Sequence, residues 1–500
     1  MNLASIIDDH QADTLALISR GRPTTYGELR EQVDHLRGGL ASLGVADGDR
    51  VALLCGNGRL FAISYLATLG LGAVSVPLNP LSPPLEIEAQ IAEVGAKVVV
   101  IEKLSAPTWD GVDRAAVPSV EHVVSSAEAA LEGVMGIDEL LTADPVDRIE
   151  VEPDHLAALL FTSGTGGAPR AAMLTHDNLL SSIEQTLAAG DRLRPDDLVY
   201  GILPLFHIFG LNVVLAMTLH VGAAVVLVQR FDPLTAADSI RERGVTVVPG
   251  VPAMWSAFAG FDELPADTFA SVRLALSGAA KLPLPVAERF EQRFGIPIAE
   301  GYGLTEASPT VTTSAGIETR RGSVGRAVPG VEIRLVNASG EALVGDVGEV
   351  LVRGRNVFGG YYEDEEATAA ALQDGWLHTG DMGMADDDGY LYLVDRSKDL
   401  IIVSGFNVYP AEVEDVLASH PDVLEAGVVG VPHPHTGEAV RAFVVLADGV
   451  DIDEEALIEY CRDHLARYKC PSKVLVTDEL PRNAGGKLIR RQLGTSLAIS

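Results

Sequence analysis

The sequence contains little cysteine. Its 500 residues include three cysteines, Cys55, Cys461 and Cys470, which are too few and too scattered for a disulfide framework or a zinc site. This scarcity fits a reducing compartment, and we expect a cytoplasmic location. The first ten residues carry Asp8 and Asp9 and lack both the basic and the long apolar segments of a secretory signal. At the usual domain size, the length predicts about three or four domains or subdomains.

Basic residues are also scarce. Lys and Arg number 37 against 70 Asp and Glu, which gives a formal net charge of −33. A surface this negative repels phosphate backbones and anionic lipids. Nucleic-acid binding is therefore disfavoured as the main role, although a local cationic pocket can still hold a small anion. Peripheral membrane contact and a homodimer both remain compatible with this composition.

One long segment lacks charge altogether. Residues 198–229 contain no Asp, Glu, Lys or Arg and are long enough to span a bilayer. Pro204, His207, Gly210, Asn212 and Gly222 interrupt the segment. It therefore favours a buried strand, loop, helix and strand over a transmembrane helix, and we expect no transmembrane segment.

The pattern of apolar residues predicts an α/β fold. Strand and helix patterns alternate at residues 50–55, 60–71, 73–77, 85–93 and 97–101. The same rhythm returns with predicted strands at 198–203, 223–228, 245–248 and 273–276. Such alternation predicts two α/β subdomains built on parallel sheets. Short strands after residue 323 predict a small antiparallel or β-barrel-like subdomain. We expect an N-terminal domain over 1–395 and a small α+β domain over 396–500.

A glycine-rich loop follows the apolar strand at 156–161. Its hydroxyls, glycines and cation suit a polyphosphate, because glycine lets backbone N–H groups approach an anion. These residues are Thr162, Ser163, Gly164, Thr165, Gly166, Gly167 and Arg170. The spacing is not that of a Walker A loop. A flexible surface turn is the alternative interpretation, and a helix is expected to begin near Thr175.

Four further segments carry candidate chemistry. Residues 301–306 (GYGLTE) combine an aromatic ring, a hydroxyl and a carboxylate that could hold Mg²⁺ beside a triphosphate. Residues 376–381 (WLHTGD) end in an Asp that could accept ribose hydroxyls or simply stabilise a turn. Residues 395–399 (DRSKD) and 481–487 (PRNAGGK) could equally be a solvated hairpin and a mobile tail.

In this order and at these separations, the segments resemble those of the adenylate-forming superfamily, which comprises acyl-CoA synthetases, luciferases and peptide-synthetase adenylation domains. The resemblance covers nearly the whole chain. It rests on seven motifs, namely FTSGTGGAPR (161–170), LPLFHIFG (203–210), LSGAAKL (276–282), GYGLTE (301–306), GWLHTGD (375–381), VDRSKDLIIVSGFNVYPAEVE (394–414) and PRNAGGKLIRRQL (481–493). Bacterial fatty-acyl-CoA synthetases are the most similar in appearance.

The resemblance implies a reaction in two halves. A carboxylate attacks the α-phosphate of MgATP to give acyl-AMP, and a thiol, usually that of coenzyme A, then displaces AMP. It also implies roles for individual residues. The glycine-rich loop and Thr305 would contact phosphate, and Glu306 would hold Mg²⁺. The remaining nucleotide contacts would come from Gly301, Tyr302, Gly303, Gly278, Ala279 and Ala280 around adenine and from Asp381 and Arg396 at the ribose.

The C-terminal motifs imply a domain that moves. Lys487 would reach the α-phosphate and the acid's carboxylate, and Lys398 matches the hinge position. After rotation, Ser404, Gly405 and Phe406 would line the channel for coenzyme A. The phosphate loop departs from the family pattern at Gly166 and Arg170, where a hydroxyl residue and Lys are usual.

The acid is expected to be a medium- to long-chain fatty acid. His207 would flank its carboxylate, and the segment lacks the Asp that binds an amino acid's ammonium group. Phe209 would suit an aliphatic tail, and Trp255 matches a gate of the fatty-acyl tunnel. A packed core role is the alternative for both His207 and Trp255. Two other functions stay open, a fatty acyl-AMP ligase that loads a carrier protein and a non-catalytic nucleotide- or acyl-AMP-binding homologue. A luciferase-like oxygenase has little support.

Overall fold

The computed structural model describes residues 1–495 except 127–128, 130, 132–133, 163–168, 191–192, 338, 344, 397–400, 404–405, 434–436, 448, 451, 466, 484–485 and 487. The described strands, numbered along the chain, are β1 (Leu15–Ser19), β2 (Arg22–Thr25), β3 (Arg50–Leu54), β4 (Val74–Pro77), β5 (Val98–Ile101), β6 (His122–Ser125), β7 (Met135–Gly136), β8 (Leu156–Thr162), β9 (Arg170–Thr175), β10 (Leu198–Gly201), β11 (Ala224–Leu227), β12 (Val247–Gly250), β13 (Leu274–Ser277), β14 (Ile298–Gly303), β15 (Thr310–Thr313), β16 (Arg326–Ala327), β17 (Glu332–Val336), β18 (Gly348–Arg353), β19 (Leu372–Gln373), β20 (Trp376–Ala385), β21 (Leu391–Arg396), β22 (Ile401–Val403), β23 (Phe406–Val408), β24 (Val423–His433), β25 (Gly437–Leu446) and β26 (Lys473–Val476).

The described α-helices are α1 (Tyr26–Ser42), α2 (Arg59–Gly70), α3 (Pro84–Val94), α4 (Ala106–Asp110), α5 (Ile137–Leu140), α6 (His176–Leu187), α7 (Met217–Val221), α8 (Pro233–Arg243), α9 (Pro252–Gly260), α10 (Leu284–Phe294), α11 (Glu365–Ala371), α12 (Pro410–Ala418), α13 (Glu454–His464) and α14 (Arg490–Thr495). A π-helical segment, Phe209–Ala216, leads into α7, and Thr305–Ala307 forms a 3₁₀ turn. Helix starts carry recognisable signals. Thr175 and Asn178 form a reciprocal capping box at α6, and Asp232 with Pro233 begins α8.

Two mostly parallel sheets form the large part of the molecule. One has nine strands in the order β16-β15-β14-β13-β12-β10-β11-β1-β2, and the other has seven in the order β7-β6-β5-β3-β4-β8-β9. Helices α2 and α3 connect the parallel strands β3, β4 and β5. The two predicted α/β subdomains are therefore confirmed. The uncharged segment forms β10, a loop, the π-helical segment with α7, and β11, as predicted, and no described helix has the length and apolarity needed to cross a membrane.

Two smaller sheets follow. The antiparallel strands β17, β18, β19, β20 and β21 form a five-stranded sheet after residue 323, where the short strands are predicted. The last sheet, β23-β22-β25-β24 with β26 beside β25, packs on α12 and α13 around its own apolar core. The chain is thus a large α/β region followed by a small α+β unit, the predicted fold class.

The glycine-rich loop differs from the expected strand, loop and helix. Strand β9 follows it and pairs antiparallel with β8, with Thr162 opposite Arg170. Helix α6 begins only after this second strand. The two strands on either side of the loop therefore pair with each other before the chain turns into a helix.

Candidate active site

The candidate site lies where several parallel strands end. Strand β10 has β11 on one side and β12 on the other, so the chain reverses its direction across the sheet at this point. Ligands of open α/β sheets bind at such switch points, outside the carboxyl ends of the strands. Three residues of the site follow strand ends: His207 after β10, Val251 after β12 and Gly278 after β13. Tyr302 is the penultimate residue of β14. The topology therefore brings together motifs that are up to about a hundred residues apart in sequence.

His207 is neutral at physiological pH. Burial lowers the pKa of its imidazole to about 4. Its Nδ1 accepts a hydrogen bond from the backbone N–H of Phe209 at 3.2 Å. The single proton of the neutral ring must then lie on Nε2, which makes Nε2 a hydrogen-bond donor. This arrangement suits a side chain that contacts a carboxylate without itself carrying charge.

Tyr302 and Asp381 form a buried pair. The phenol of Tyr302 donates a hydrogen bond to Oδ2 of Asp381 at 2.7 Å, and both side chains are buried. The backbone of Arg396 lies opposite Asp381 in the β20–β21 pair. The two residues predicted at the ribose are thus on neighbouring strands, and the predicted adenine residue contacts one of them directly.

Glu306 is held by a residue that the sequence analysis did not identify. The phenol of Tyr361 donates to Oε1 of Glu306 at 2.8 Å, and burial followed by the Glu306 charge raises the pKa of Tyr361. Glu306 sits in the turn Thr305–Ala307, next to Thr305. Mg²⁺ in nucleotide sites is bound through one or two carboxylates together with substrate phosphates, and a single oriented carboxylate fits that donor set.

Arg170 begins β9 and is held by an acidic partner. Its Nε donates to Oδ2 of Asp364 at 2.9 Å, and its guanidinium lies 5.8 Å from the centre of the Tyr361 ring. Arg170 is exposed, whereas Asp364 also caps α11 through the N–H of Ala367. A capped Asp thus fixes the arginine beside Tyr361. Ser163, Gly164, Thr165, Gly166 and Gly167 lie outside the described residues, while Thr162 ends β8.

The predicted adenine floor is tightly packed. A Cβ on Gly278 would lie 2.9 Å from Cε1 of Phe209, so the phenyl ring rests directly against the glycine backbone. Ala279, the next residue, has φ of +68°, a conformation that is uncommon for residues other than glycine. Strained backbone of this kind clusters at ligand sites. Ala280 completes this turn, and Gly301 and Gly303 lie on either side of Tyr302 in β14.

The C-terminal unit approaches the site at Gly486, the residue before Lys487. Lys487 itself lies outside the described residues, as do Lys398, Ser404 and Gly405. The neighbouring Gly486 is so close that a Cβ on it would lie 3.4 Å from Cγ2 of Val251. Arg482 donates to the carbonyl of Gly486 at 2.8 Å and pairs with Glu425, which braces the loop. Phe406 begins β23. Gly486 therefore lies beside the end of β12, where the site is predicted.

Trp255 occupies the core. It is fully buried on α9 and packs edge-on against Phe290 at 5.0 Å, beside Phe258. It is not among the residues that line a separate apolar cavity of ≈ 50 Å³ between the nine-stranded sheet and the helical segment Phe209–Ala216 with α7. The environment of Trp255 matches the core alternative, because an aromatic cluster surrounds its ring.

Sequence reasoning missed Glu300 as well as Tyr361 and Asp364. Burial raises the pKa of the Glu300 carboxyl to about 7, and the N–H of Leu282 donates to it weakly at 3.4 Å. Glu300 directly precedes the GYGLTE segment, so its position in the sequence could have indicated it. Tyr361 gives no comparable signal, since it lies 55 residues from Glu306 and only the fold joins them.

Comparison with known proteins agrees with this geometry. Residues 7–362 match the family model described as AMP-binding enzyme, and residues 412–487 match the AMP-binding enzyme C-terminal domain. The chain belongs to the AMP-binding enzyme family. The resemblance to the adenylate-forming superfamily is thereby confirmed.

Curated relatives of this AMP-binding enzyme differ in their acids. It is 35% identical to a long-chain-fatty-acid–CoA ligase of Bacillus subtilis (strain 168), over 98% of this chain and 94% of the relative. It is 34% identical to 4-coumarate–CoA ligase 3 of Oryza sativa subsp. japonica, over 96% and 88%, and 38% identical to a feruloyl-CoA synthase of Amycolatopsis sp, over 95% and 94%. The relatives establish an acyl-CoA ligase and leave its acid open.

Solved structures match over the whole length. ATP-bound MatB from Rhodopseudomonas palustris superposes with a TM-score of 0.92 at 34% identity, covering 99% of this chain and 98% of that one. A benzoate CoA ligase from Burkholderia xenovorans LB400 gives 0.91 at 28% identity, covering 99% of each. Both comparisons include the small C-terminal unit as well as the large α/β region.

Proposed function

We propose that this AMP-binding enzyme is an acid:CoA ligase that activates fatty acids of medium to long chain. It would form acyl-AMP and pyrophosphate from MgATP and then acyl-CoA and AMP. The observation that supports the choice of acid is the apolar cavity whose wall includes Pro249 on β12 and Leu276 on β13, two strands that end at the proposed site. Each methylene buried from water in such a space contributes about 0.8 kcal/mol.

The proposed chemistry of the first half-reaction is mainly electrostatic. Two anions, the acid's carboxylate and the α-phosphate, must approach each other in the site. Lys487 would bridge them with a positive charge, and neutral His207 would orient the carboxylate through its Nε2–H. Arg170, fixed by Asp364, would offset charge on the leaving pyrophosphate together with the glycine-rich loop.

The nucleotide would be held by groups whose positions are already fixed. Asp381 would accept the ribose hydroxyls while Tyr302 holds its other oxygen, and Gly278 with Ala279 would lie beneath adenine. Mg²⁺, when bound, would supply further charge neutralisation at the phosphates. Glu306 would provide its carboxylate and Tyr361 would set the orientation of that carboxylate.

A product analysis tests this function. The purified protein is incubated with MgATP and acids from acetate to palmitate, together with benzoate, 4-coumarate and ferulate, each with and without coenzyme A. We expect acyl-CoA and AMP from aliphatic acids when coenzyme A is present. Acyl-AMP that accumulates and ignores coenzyme A would instead assign the protein to carrier-protein loading. Binding of ATP without any turnover would assign it to the non-catalytic homologues, and a preference for 4-coumarate or ferulate would overturn the aliphatic acid.

A further inference from the structure

The turn that carries Glu306 is held through its backbone. The carbonyl groups of three successive residues, Glu306, Ala307 and Ser308, accept hydrogen bonds from distant segments. The donors for the first two are the N–H of Phe358 at 2.9 Å and Nδ2 of Asn356 at 2.8 Å. Ser308 ends the turn with φ of +65°, a conformation that residues other than glycine keep only where the surrounding structure holds it. The position of Glu306 therefore depends on groups that are far from it in the sequence.

Asn356 uses both of its amide hydrogens on this turn. Its side chain is fully buried, and Nδ2 donates to the carbonyl of Ala307 and, at 3.1 Å, to that of Thr310. The two carbonyls lie on either side of Ser308, so a single amide group closes the turn behind Glu306. Removal of this amide would take a donor from two carbonyls in the interior, and leaving such groups unsatisfied is costly.

The connecting segment, residues 354–362, is fastened at both ends. Nδ2 of Asn178, on α6, donates to the carbonyls of Arg355 at 2.8 Å and Val357 at 2.9 Å, the residues on either side of Asn356. The last residues of the connecting segment pair with β9 through backbone hydrogen bonds of 2.8–3.3 Å. Strand β9 leaves the glycine-rich loop, so the connecting segment joins the proposed phosphate site to the turn of Glu306.

Asn212 holds the same turn from the other side. Its side chain is buried, and Nδ2 donates to the carbonyl of Ser308 at 2.7 Å and to that of Leu179 at 3.0 Å. Asn212 lies in the π-helical segment Phe209–Ala216, which begins two residues after His207. The segment that carries the proposed contact to the acid's carboxylate is thereby tied to the turn as well.

We infer that Asn356 and Asn212 are positioning residues for the carboxylate of Glu306. Asn356 fixes the turn relative to the glycine-rich loop, and Asn212 fixes it relative to the segment after His207. Tyr361 orients the carboxylate itself, whereas the two asparagines fix the backbone from which it extends. This inference rests on the proposed function, in which Glu306 would hold Mg²⁺ beside the phosphates of ATP. Catalysis by positioning requires the reacting groups to be held within a fraction of an ångström.

A buried asparagine of a different region provides a matched control. Asn2 is fully buried, and its Nδ2 donates to the carbonyls of Leu69 at 2.6 Å and Ile149 at 3.1 Å. The test compares the wild type with Asn356→Leu, Asn212→Leu and Asn2→Leu, because leucine is close to asparagine in size and has no side-chain donor. Urea unfolding should show a loss of stability in all three variants, since each takes a donor from two carbonyls.

The decisive measurement is metal-dependent nucleotide binding without turnover. Calorimetry gives the Kd of α,β-methylene-ATP with and without Mg²⁺, and the ratio of the two values measures how much the metal strengthens binding. Groups that support a metal ligand contribute strongly to metal affinity. We expect this ratio to fall about three- to tenfold in Asn356→Leu and Asn212→Leu and to stay unchanged in Asn2→Leu. A wild-type ratio near one, or equal ratios in all four proteins, would overturn the inference.

A double variant tests whether Asn356 acts through Glu306. If Asn356 and Tyr361 both serve this carboxylate, Asn356→Leu combined with Tyr361→Phe should match the worse single variant in the calorimetric ratio. Effects that multiply would show that the two residues act independently and would overturn the inference.

The two half-reactions distinguish positioning from a general loss of structure. ATP–pyrophosphate exchange should slow at least tenfold in Asn356→Leu, whereas thioester formation from supplied acyl-AMP, which involves no pyrophosphate, should stay within about twofold of the wild type. Equal loss of both half-reactions would count against a positioning role. Failure of the proposed function would look different, because the wild type would then catalyse neither half-reaction while the calorimetric ratios still reported the metal site.

Discussion

Removal of one atom, the phenol oxygen of Tyr302, tests the nucleotide site proposed at the Tyr302–Asp381 pair. Tyr302→Phe removes the phenol oxygen that donates to Asp381 at 2.7 Å and keeps the ring proposed to lie near adenine. Once this hydrogen bond is lost, Asp381 loses one of the contacts that hold its carboxylate in the orientation proposed for the ribose hydroxyls. If that orientation is then populated about a third of the time, ATP binding weakens by about 0.65 kcal/mol.

A hydrogen bond to a charged group contributes about 1.5–3 kcal/mol to stability, which sets the upper limit of this cost. Part of that amount returns when ATP supplies new donors to Asp381. We therefore expect the KM for ATP to rise about three- to tenfold, with the KM for the acid unchanged. The assay is ATP–pyrophosphate exchange, with ATP varied at saturating acid and the acid varied at saturating ATP.

Tyr26→Phe serves as the control variant. Its buried phenol donates to the carbonyl of Ala223 at 2.7 Å, at the end of β11 that is opposite to the proposed site. The control should lose stability without changing the KM for ATP. An unchanged KM for ATP in Tyr302→Phe, or the same change in both variants, would refute the assignment of Asp381 to the ribose.

Three further predictions concern the metal, pH and the domain contact. Tyr361→Phe should raise the Mg²⁺ concentration for half-maximal pyrophosphate exchange about three- to tenfold, because Glu306 loses the phenol that donates to its carboxylate. An unchanged Mg²⁺ titration would contradict this prediction. Burial lowers the pKa of His176 to about 3, so below pH 6.5 the unfolded chain binds a proton that the folded protein does not. Between pH 6.5 and 5 this residue should remove about 2 kcal/mol of stability, and urea unfolding of His176→Gln should show a weaker pH dependence. Lys281→Ala should slow adenylation at most about fivefold at low salt, because the ion pair of Lys281 with Asp415 at 2.5 Å is partly exposed and therefore weak. Thioester formation from supplied acyl-AMP should not fall in this variant.

Local sequence patterns were enough to predict the positions of several strands in the two large sheets. Strands β3, β4, β5, β10, β11 and β13 lie within one or two residues of their predicted positions because each is a short apolar run between turn residues. Strand β12 begins at Val247, two residues later than predicted, because the N–H of Val245 still bonds to the carbonyl of Ile240 at the end of α8. Periodicity cannot distinguish the last residue of a helix cap from the first residue of a strand.

Contacts between distant segments set the limit of the sequence analysis. The pairing of β8 with β9 turned an expected strand–loop–helix into a hairpin, since β9 satisfies its backbone groups on β8 before α6 begins. The side chain of Tyr361 meets Glu306 only through the fold, and the core position of Trp255 depends on aromatic residues from α10. The order of the motifs therefore indicated the chemistry. The residues that orient the reacting groups, such as Tyr361, could be identified only from the structure.

The approach of Gly486 to Val251 bears on the proposed movement of the C-terminal unit. Gly486 has φ of +78°, and a Cβ added to it would lie 3.4 Å from Cγ2 of Val251, at ordinary van der Waals distance. A side chain at this position would be strained by the positive φ rather than by the contact. The described ion pair between the two units, Lys281–Asp415, is partly exposed and therefore weak. The close approach of Gly486 and the weak Lys281–Asp415 ion pair fit the proposal that the C-terminal unit covers the site during adenylation and then moves away, so that the thiol can enter.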